Sequence, residues 1–361
     1  MHDMHMMDEL DFSLVNALQL SPRASWAQLE PILDTDSSTL SRRWARLVGE
    51  GLAWSSLQTV SRREWSTMPE GVCALVEIVC VAGQREKVIQ QVSALPEALS
   101  VECTSGAREL VVMLALPSIT QIDRCVSMAI ATLPGVLGTR THVARRCFLD
   151  GAGWRLGMLR KDQERRIKAL ANTLDDSPFA PSPLLLKVAE SLGADARRPA
   201  ASIAEEIGSS TSTVNRAIGQ LMRADWVRTR VEIAHDVVGY NASTLLWFTV
   251  PHAQLEGIAS AIALMPETRM CYSVVGASNL MVLFWLKELE QLDSLETRIA
   301  RLFPSAVVND RWMILRHAKR VGHLMDSQGY HSGHVPFERH PHAGRPSATS
   351  PGTATQSVSA A

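Results

Sequence analysis

A ten-residue segment near the start of the chain is echoed far along it, and this internal repeat limits the folds open to the sequence. Ser37–Arg46 reads SSTLSRRWAR and Thr211–Gln220 reads TSTVNRAIGQ. In both, apolar residues recur at helical spacing, so one face of each helix is predicted to point inward. The inward residues are Leu40, Trp44 and Leu47 in the first copy and, at a constant separation, Val214, Ile218 and Leu221 in the second. The sequence therefore predicts two related units.

Each of these helices follows shorter helical segments and a polar turn, which is the order of a helix-turn-helix. In the first copy, Leu10–Leu20 and a helix capped by Ser25 precede the turn Asp34–Asp36. Leu52–Trp65 then has the alternating character of a β-wing that lies beside a DNA phosphate. Residues 37–64 hold five Arg against two acids, and residues 209–232 hold four against two. Positive charge collects where DNA would lie.

The outward faces of the two predicted recognition helices and the first wing supply the candidate DNA contacts. Arg can pair with guanine or clamp phosphate, Asn can pair with adenine, and hydroxyl groups can contact either base or backbone. The candidates are Ser37, Ser38, Thr39, Ser41, Arg42, Arg43, Arg46, Arg62, Arg63, Ser212, Thr213, Asn215 and Arg216. Because the second helix lacks the Arg-rich run, we expect it to bind DNA more weakly or at a different sequence.

From Val72 the pattern changes to short apolar strands separated by amphipathic helices. The order is a strand from Val72, a helix ending at Pro96, two strands around Gly106, a second helix ending at Pro134 and a last strand. This βαββαβ order is the split βαβ, or ferredoxin-like, arrangement. The landmarks Pro96, Gly106 and Pro134 recur in the second half as Pro266, Gly276 and Pro304. The predicted fold class is α+β, with two copies of a winged helix-turn-helix followed by a βαββαβ domain.

The boundaries follow from changes of periodicity and from Pro-rich or Ser-rich stretches. The predicted segments are a first winged helix-turn-helix (8–66), a first ferredoxin-like domain (70–149), a linker with one short helix (150–183), a second winged helix-turn-helix (184–236), a second ferredoxin-like domain (240–320) and a disordered tail (326–361).

Composition excludes several other classes of protein. The net charge of −1 argues against a generally basic, non-specific nucleic-acid coat. The acidic N-terminus is not a signal peptide, and no apolar run is long enough for a membrane helix. Six cysteines without a CxxC pair indicate buried thiols in a reducing cytoplasm. We predict no metal or cofactor, although the tail contains the histidines His331, His334, His340 and His342.

With these elements in place, the chain resembles the Lrp/AsnC (feast/famine) family of transcription regulators in a tandem-duplicated form. The segments that carry the resemblance are DTDSSTLSRRWARLVGEGL, SVECTSGARELVVML, MCYSVVGASNLMVLF and LPGVLGTRTHVARR. The resemblance implies a double-stranded DNA partner and pairing through the ferredoxin-like domains, in a homo-oligomer or between the two halves of one chain. Half-site centres would lie about 34 Å apart, one DNA turn, or a multiple of that.

The resemblance also implies an amino-acid-like effector near the Gly between the second and third strands of each ferredoxin-like domain. Carried over to this chain, the effector-binding positions are Thr104, Gly106, Arg108, Val275, Gly276, Ser278 and Asn279. The two glycines are equally consistent with tight hairpin turns alone.

Two other functions remain open at this stage. One is a ligand-sensing partner protein without DNA binding, because the second helix-turn-helix is weak. The other is an enzyme that resembles the sirohaem decarboxylases of the same architecture, which use His, Tyr and Arg at the domain interface. The chain has three Tyr in total and none in the first copy, and such an enzyme would leave the Arg-bearing helix unexplained. We therefore expect a regulator and not an enzyme.

Overall fold

The chain begins with three helices and a strand, and each helix starts at a side chain that caps it. The computed structural model describes residues 7–59, 71–170, 181–224, 227–235 and 239–336. Its first elements are α1 (Glu9–Leu20), α2 (Trp26–Leu33), α3 (Ser37–Gly49) and β1 (Ala53–Thr59). Asp8, Ser25 and Asp36 each accept a hydrogen bond from the backbone of the helix that follows. The inward residues Leu40 and Leu47 are fully buried, as their spacing predicts.

A four-stranded antiparallel sheet with two helices follows. Its elements are β2 (Val72–Cys80), α4 (Arg85–Ser93), β3 (Ala98–Thr104), β4 (Leu110–Leu116), α5 (Ile119–Arg124) and β5 (Val136–Leu149), with a π-helical turn (Cys125–Ile130) after α5. The strand order β5-β2-β4-β3 is that of a ferredoxin-like sheet.

The next segment was expected to be mainly a linker, but its described part is docked on the first helical unit. This segment contains α6 (Lys161–Lys168), and Gln163 Nε2 of that helix donates a hydrogen bond to the Ile32 carbonyl at 2.9 Å. Just before it, the Met158 amide donates to Asn16 Oδ1 at 2.8 Å. A second helical unit follows, with α7 (Pro183–Ser191), α8 (Ala200–Ile207), α9 (Thr211–Leu221) and β6 (Val227–Ile233).

A second sheet then repeats the element order of the first. It contains β7 (Ala242–Thr249), α10 (Leu255–Ala263), β8 (Thr268–Val274), β9 (Leu280–Leu286), α11 (Gln291–Leu302) and β10 (Val307–Arg320), in the order β10-β7-β9-β8. The edges of the two sheets join, because β5 pairs with β8 and β10 pairs with β3. The eight strands therefore form a closed barrel, which removes the exposed edges that isolated sheets would carry.

Barrel closure buries both faces of the strands. On β2, Val76 and Ile78 pack outward under the helices, whereas Leu75 points into the barrel interior with Trp247 and Trp312 of the second sheet. Burial on both faces explains why β2 is almost continuously apolar and does not alternate with polar residues.

The predicted wing has a different role from the one that the sequence suggested. Strand β1 pairs antiparallel with β6 along its whole length, from Ala53 opposite Ile233 to Thr59 opposite Val227. Trp54 and Ser55 of this strand are buried. The described part of the first wing therefore connects the two halves of the chain and does not lie free beside DNA, because its side chains are needed for that packing. The candidates Arg62 and Arg63 lie outside the described residues.

The predicted disordered tail begins too early, and the expectation for its first part is wrong. Strands β11 (His323–Met325) and β12 (His331–His334) form a hairpin. The His331 amide donates to the Gly51 carbonyl at 3.0 Å, and the His331 ring stacks on Trp54 with centroids 5.3 Å apart. The hairpin therefore packs against the first helical unit, a contact that the amino-acid composition of the tail does not predict. Residues 337–361 lie outside the described part.

Three further observations bear on protein class. All six cysteines lie in the described residues and are buried, and none of them forms a disulfide bond, which confirms the prediction of buried thiols. No described helix is long and apolar enough to cross a membrane. Within the described ranges, no cluster of three His, Cys, Asp or Glu side chains could hold a metal ion.

Candidate functional site

The N-terminal end of α3 uses several of its polar groups to cap itself. Asp36 accepts hydrogen bonds from the Ser38 hydroxyl at 2.6 Å and from the Thr39 amide at 2.8 Å. These bonds lower the pKa of Asp36 to about 2, with the Ser38 hydroxyl as the largest cause. The end of α3 that would approach DNA therefore carries a permanent negative charge. Arg42 is exposed, and its Nη2 donates to the Thr39 hydroxyl at 3.3 Å.

Two of the three arginines on α3 are held by carboxylates of α1. Arg43 Nη1 lies 2.7 Å from Asp8 Oδ2 and 2.9 Å from Asp11 Oδ1, and Arg46 Nη2 lies 2.5 Å from Asp11 Oδ2. The hydrogen bond that Arg43 donates to Asp8, followed by the one that it donates to Asp11, raises the pKa of Arg43. Asp11 is almost completely buried. Arg43 and Arg46 therefore stabilise the packing of α3 on α1, a role that the sequence did not indicate.

Most of the predicted DNA-contacting side chains on α9 are exposed. Ser212, Asn215 and Arg216 are exposed, and Thr213 is half-buried. Ser210 caps the helix by accepting a hydrogen bond from the Thr213 amide at 3.2 Å. No ion pair to Arg216 occurs within the described residues. Arg42 of α3 likewise has no carboxylate partner among the described residues, so each helix presents one such guanidinium, and the expected ranking of the two helices stays a prediction.

The two predicted recognition helices, α3 and α9, have equivalent positions. Counting from the N-terminal caps Asp36 and Ser210, the shared residues are Ser38 with Ser212, Thr39 with Thr213, and Arg42 with Arg216. The two helices differ where Ser41 corresponds to Asn215 and where Arg46 corresponds to Gln220. Each half thus carries a similar polar face with a different side chain near its centre.

The two helical units are joined by a reciprocal exchange of arginines between the α1–α2 turn and the α7–α8 turn. Arg197 Nη1 donates to the carbonyls of Pro22 at 2.6 Å and Ala24 at 3.1 Å. Arg23 in turn donates to the carbonyls of Ala196 and Arg198. Arg23 and Arg197 occupy equivalent positions in the repeat, so the contact has the two-way form of a symmetric dimer interface. We call these four contacts the arginine exchange.

The predicted effector positions of the first sheet lie where the two sheets join. The Ser105 amide donates to the Met313 carbonyl at 2.9 Å, and Thr104 Oγ1 donates to the Arg108 carbonyl at 3.2 Å. Gly106 has a φ of +92°, a left-handed conformation that favours glycine. It faces open space.

The predicted effector positions of the second sheet lie at the other join. The Val275 amide donates to the Val143 carbonyl at 2.9 Å. The Val250 amide donates a hydrogen bond to Asn279 Oδ1, and Asn279 Nδ2 donates one to the Val250 carbonyl. The Ser278 hydroxyl accepts a hydrogen bond from Asn309 at 2.9 Å. A Cβ at Gly276 would lie 3.3 Å from His142 Nδ1. All seven predicted positions therefore lie at sheet junctions, and several of their polar groups already have partners.

A charged network at one mouth of the barrel links Arg108 to residues that the sequence did not single out. Arg108 Nε lies 3.0 Å from Glu77 Oε2, and its Nη1 lies 3.0 Å from Asp310 Oδ2. Glu77 also bonds His142 Nε2 at 2.7 Å, and Trp312 lies under the guanidinium at 3.9 Å. We call Glu77, Arg108, His142, Asp310 and Trp312 the barrel-mouth network. Its one sequence signal was Glu77, an acid inside an apolar strand.

A second charged cluster is buried between β6, which we call the second wing, and the barrel. Glu232 lies 2.6 Å from Arg269 Nη2, and Arg230 lies 2.8 Å from Asp150 Oδ2. Arg320 donates to His235 Nδ1 at 2.7 Å, and the His235 ring stacks on Trp285 at 4.1 Å. Burial raises the pKa of Glu232, but Arg269, Arg320 and Arg230 outweigh it, so the net pKa is lowered. The surrounding guanidinium groups thus hold Glu232 as a carboxylate.

Two cavities lie near these elements. One, of about 440 Å³, is bounded by α1, the segment after β5 and the second wing. The other, of about 310 Å³, lies beside β5 and the start of α10, and is lined by Arg146 and Glu256, which form an ion pair at 2.9 Å.

Comparison with known proteins assigns two parts of this architecture. Residues 73–151 match the model of the Lrp/AsnC ligand binding domain, and residues 183–228 match that of a winged helix-turn-helix DNA-binding domain. The predicted helix-turn-helix and Lrp/AsnC character are thereby confirmed for these residues. The matches indicate a ligand-binding domain and a DNA-binding domain in two separate parts of the chain.

Particular relatives are more distant. The chain is 20% identical over 139 residues to an uncharacterised HTH-type transcriptional regulator of Pyrococcus abyssi, spanning 38% of this chain and 85% of that protein. A similar regulator of Pyrococcus horikoshii is 19% identical over 139 residues, with the same shares of each chain. The crystal structure of the siroheme decarboxylase NirDL aligns with a TM-score of 0.53 at 15% identity, covering 86% of this chain and 93% of that one. At that identity the likeness is one of fold.

Proposed function

We propose that this chain is a sequence-specific DNA-binding transcription regulator in which a tandem duplication places two helix-turn-helix units in one molecule. The observation that carries the proposal is the exposed face of α9. Ser212, Asn215 and Arg216 lie on that face, and Arg216 has no carboxylate partner among the described residues. Side chains of these types can bond base edges in the major groove. The match of residues 183–228 to a DNA-binding winged helix-turn-helix supports the same conclusion.

The arginine exchange supports a paired mode of DNA binding. It fixes the two helical units to each other within one chain, so two recognition helices approach DNA together. Because Ser41 and Asn215 differ at equivalent positions, the two halves prefer different bases. The operator is therefore asymmetric, with half-sites about one helical turn apart or a multiple of it.

The first test is a gel shift of the purified protein with the DNA upstream of its own gene, across a salt series. Retention that falls steeply as salt rises is expected for phosphate-anchored binding. Arg216→Gln should weaken binding by about 1–3 kcal/mol if Arg216 contacts a base. The matched control is Arg301→Gln, at an exposed position in the last turn of α11. A folded protein that retains no DNA at low salt would contradict the proposal and favour a ligand-sensing partner protein.

Arg42 and Arg43 give a second comparison. Arg42 lies exposed on the outer face of α3, whereas Arg43 is bonded to Asp8 and Asp11. Arg42→Gln should weaken DNA binding without a change in the free energy of unfolding. Arg43→Gln should lower the free energy of unfolding, because it leaves the buried Asp11 with one of its two arginines. Equal effects of both variants on DNA binding alone would contradict this division of roles.

We also propose that an amino-acid-like effector acts at the sheet junctions. Its carboxylate would bond Arg108 in place of Asp310, which is about half exposed. Titration calorimetry with single amino acids tests this, and Arg108→Gln should abolish the heat of binding. Light scattering tests the further proposal that chains associate through the ferredoxin-like domains, outside the strand edges that the barrel already pairs.

A tetrapyrrole-binding enzyme is the second candidate. The observation that favours it is the buried cluster of His235, Arg269 and Arg320 around Trp285, in a fold like that of a siroheme decarboxylase. However, Glu232 already pairs with these guanidinium groups, so a polycarboxylate substrate would have to displace it. A shift in the absorption spectrum of added sirohaem that saturates at one equivalent would move the assignment to this candidate.

A further inference from the structure

The larger cavity lies where the two helical units and the barrel meet. Its volume is about 440 Å³, and its walls come from the C-terminal end of α1, the segment after β5, the end of α9 and the start of β6. Leu20, Phe148 and Met222 contribute half-buried apolar side chains to these walls. Pockets for small molecules occupy about 300–1,000 Å³ and are mostly apolar with a few polar groups. The cavity has the size and lining of such a pocket.

Two guanidinium groups give the cavity its charge. Arg155 donates to the Ala152 and Trp154 carbonyls, and Arg228 makes only a long contact of 3.5 Å with the Val227 carbonyl. Within the part of the chain that the structure describes, neither lies in an ion pair. Asp150, the one carboxylate among the described residues of the lining, is already paired with Arg230 at 2.8 Å. The cavity is therefore cationic in net charge.

We propose that this cavity binds a small organic anion: a carboxylate or similar acid carried on an apolar body. The acid group lies between Arg155 and Arg228, where it forms charge-assisted hydrogen bonds. The apolar body packs against Leu20, Phe148 and Met222, which burial of apolar surface favours. The site is separate from the barrel-mouth network and from the predicted effector positions, because it lies between the helical units.

The position of the cavity gives its ligand a route to the DNA-binding surface, a consequence that rests on the proposed function. Pro22 lines the cavity, and its carbonyl accepts a bond from Arg197 in the arginine exchange. Met222, another lining residue, is the C-terminal cap of α9. A bound anion therefore contacts both the joint between the helical units and the end of a recognition helix. It changes DNA affinity only if the two arrangements of the units bind it differently.

The test compares an acid with its alcohol. Phenylbutyrate and phenylbutanol share the apolar body and differ in charge, and titration calorimetry of the full chain measures both. Phenylbutyrate should bind with one-to-one stoichiometry and at least about tenfold more tightly than phenylbutanol, a factor that corresponds to about 1.4 kcal/mol. Arg155→Gln and Arg228→Gln should each weaken phenylbutyrate binding by about tenfold and leave phenylbutanol unchanged. Arg301→Gln, at an exposed position outside the cavity, should change neither.

Three results would overturn the proposal: equal affinity for acid and alcohol, phenylbutyrate binding that survives both Arg substitutions, or no binding of phenylbutyrate at millimolar concentration. Met222→Trp, which fills the cavity, should block binding in a protein whose circular dichroism is unchanged; undiminished binding would place the site elsewhere. Because these measurements contain no DNA, they stand apart from the gel shift. If the protein binds phenylbutyrate but retains no DNA, the proposal of an anion site stands and only the proposal of a DNA-binding regulator is contradicted.

Discussion

Removal of the arginine exchange tests the joint between the two helical units. The variants are Arg23→Ala, Arg197→Ala and the double variant. Arg197 donates two hydrogen bonds, to Pro22 and Ala24, and its guanidinium lies 4.1 Å from the centroid of Trp26. Hydrogen bonds from charged groups contribute roughly 1.5–3 kcal/mol, and a partly exposed cation–π contact about 0.5–1 kcal/mol.

The cost of burial reduces these gains. Burial, and after it the neighbouring charge of Arg23, lowers the pKa of Arg197 to about 10. Burial also lowers the pKa of Arg23. We therefore expect a net loss of about 2–3 kcal/mol for Arg197→Ala and about 1–2 kcal/mol for Arg23→Ala, whose bonds to the Arg198 carbonyl are 3.4 Å long.

The double variant distinguishes repulsion from cooperativity. Each single variant loses hydrogen bonds but relieves the remaining arginine of a like charge. This relief is counted twice in the sum of the single effects and occurs once in the double variant. The double loss should therefore exceed the sum of the single losses by about 0.5–1 kcal/mol. The excess should shrink at high salt, which screens the repulsion.

Urea unfolding followed by tryptophan fluorescence measures these free energies, with Arg301→Ala as the control. A double loss smaller than the sum would mean that one substitution already opens the interface, and it would refute the reasoning. Single losses below about 0.5 kcal/mol, the range of ordinary surface substitutions, would show that the exchange does not hold the units together.

Three further predictions concern the C-terminal hairpin and β10. Gly51→Ala should cost roughly 1–3 kcal/mol and expose the hairpin to trypsin, because φ is +69° and a Cβ would lie 2.5 Å from the His331 carbonyl oxygen; an unchanged cleavage rate would contradict this. Burial lowers the pKa of His323 and that of His331. Because the unfolded hairpin therefore takes up protons more readily, the folded hairpin should lose stability as the pH falls below about 6.5. The measurement is a change in Trp54 fluorescence, which should be absent in a hairpin-deleted chain. Burial lowers the pKa of Lys319 from 10.5 to about 8. Its charge therefore opposes folding at low pH, and the free energy of unfolding should rise between about pH 8 and 10.5, a rise that Lys319→Met should remove.

The local elements could be predicted from the sequence because their determinants are local. Helical spacing identified Leu40 and Leu47 as core residues, and the βαββαβ order followed from strand and helix periodicity. Barrel closure could not be predicted in the same way, since it depends on which strand edges meet. Its trace in the sequence was the unbroken apolar run of β2, which indicates burial on both faces. The pairing of β1 with β6 left no local signal, because either strand alone also suits a free wing.

The candidate site was predicted by position but not by electrostatic environment. Residues on the outer face of α3 were identified correctly as outward, yet Arg43 and Arg46 extend back to Asp11, an acid on another helix. Asp8 caps α1, and Asp11 completes the capping box. Spacing along one helix cannot show a partner that lies more than thirty residues away in sequence. The same limit concealed the pairing of Glu232 with Arg269.

The equivalence of the two recognition helices leads to a last prediction, which rests on the proposed function. Arg42 and Arg216 occupy the same position in the repeat, so the side chain beside them, Ser41 or Asn215, is left to distinguish the half-sites. Asn can bond adenine bidentately, and a Ser hydroxyl cannot. Ser41→Asn should therefore make the two faces more alike and shift selection from a random duplex pool toward more symmetric sites. Asn215→Ser should also increase symmetry, but with loss of the adenine preference. If neither variant changes the selected sequence, the half-sites are distinguished by groups outside these helices.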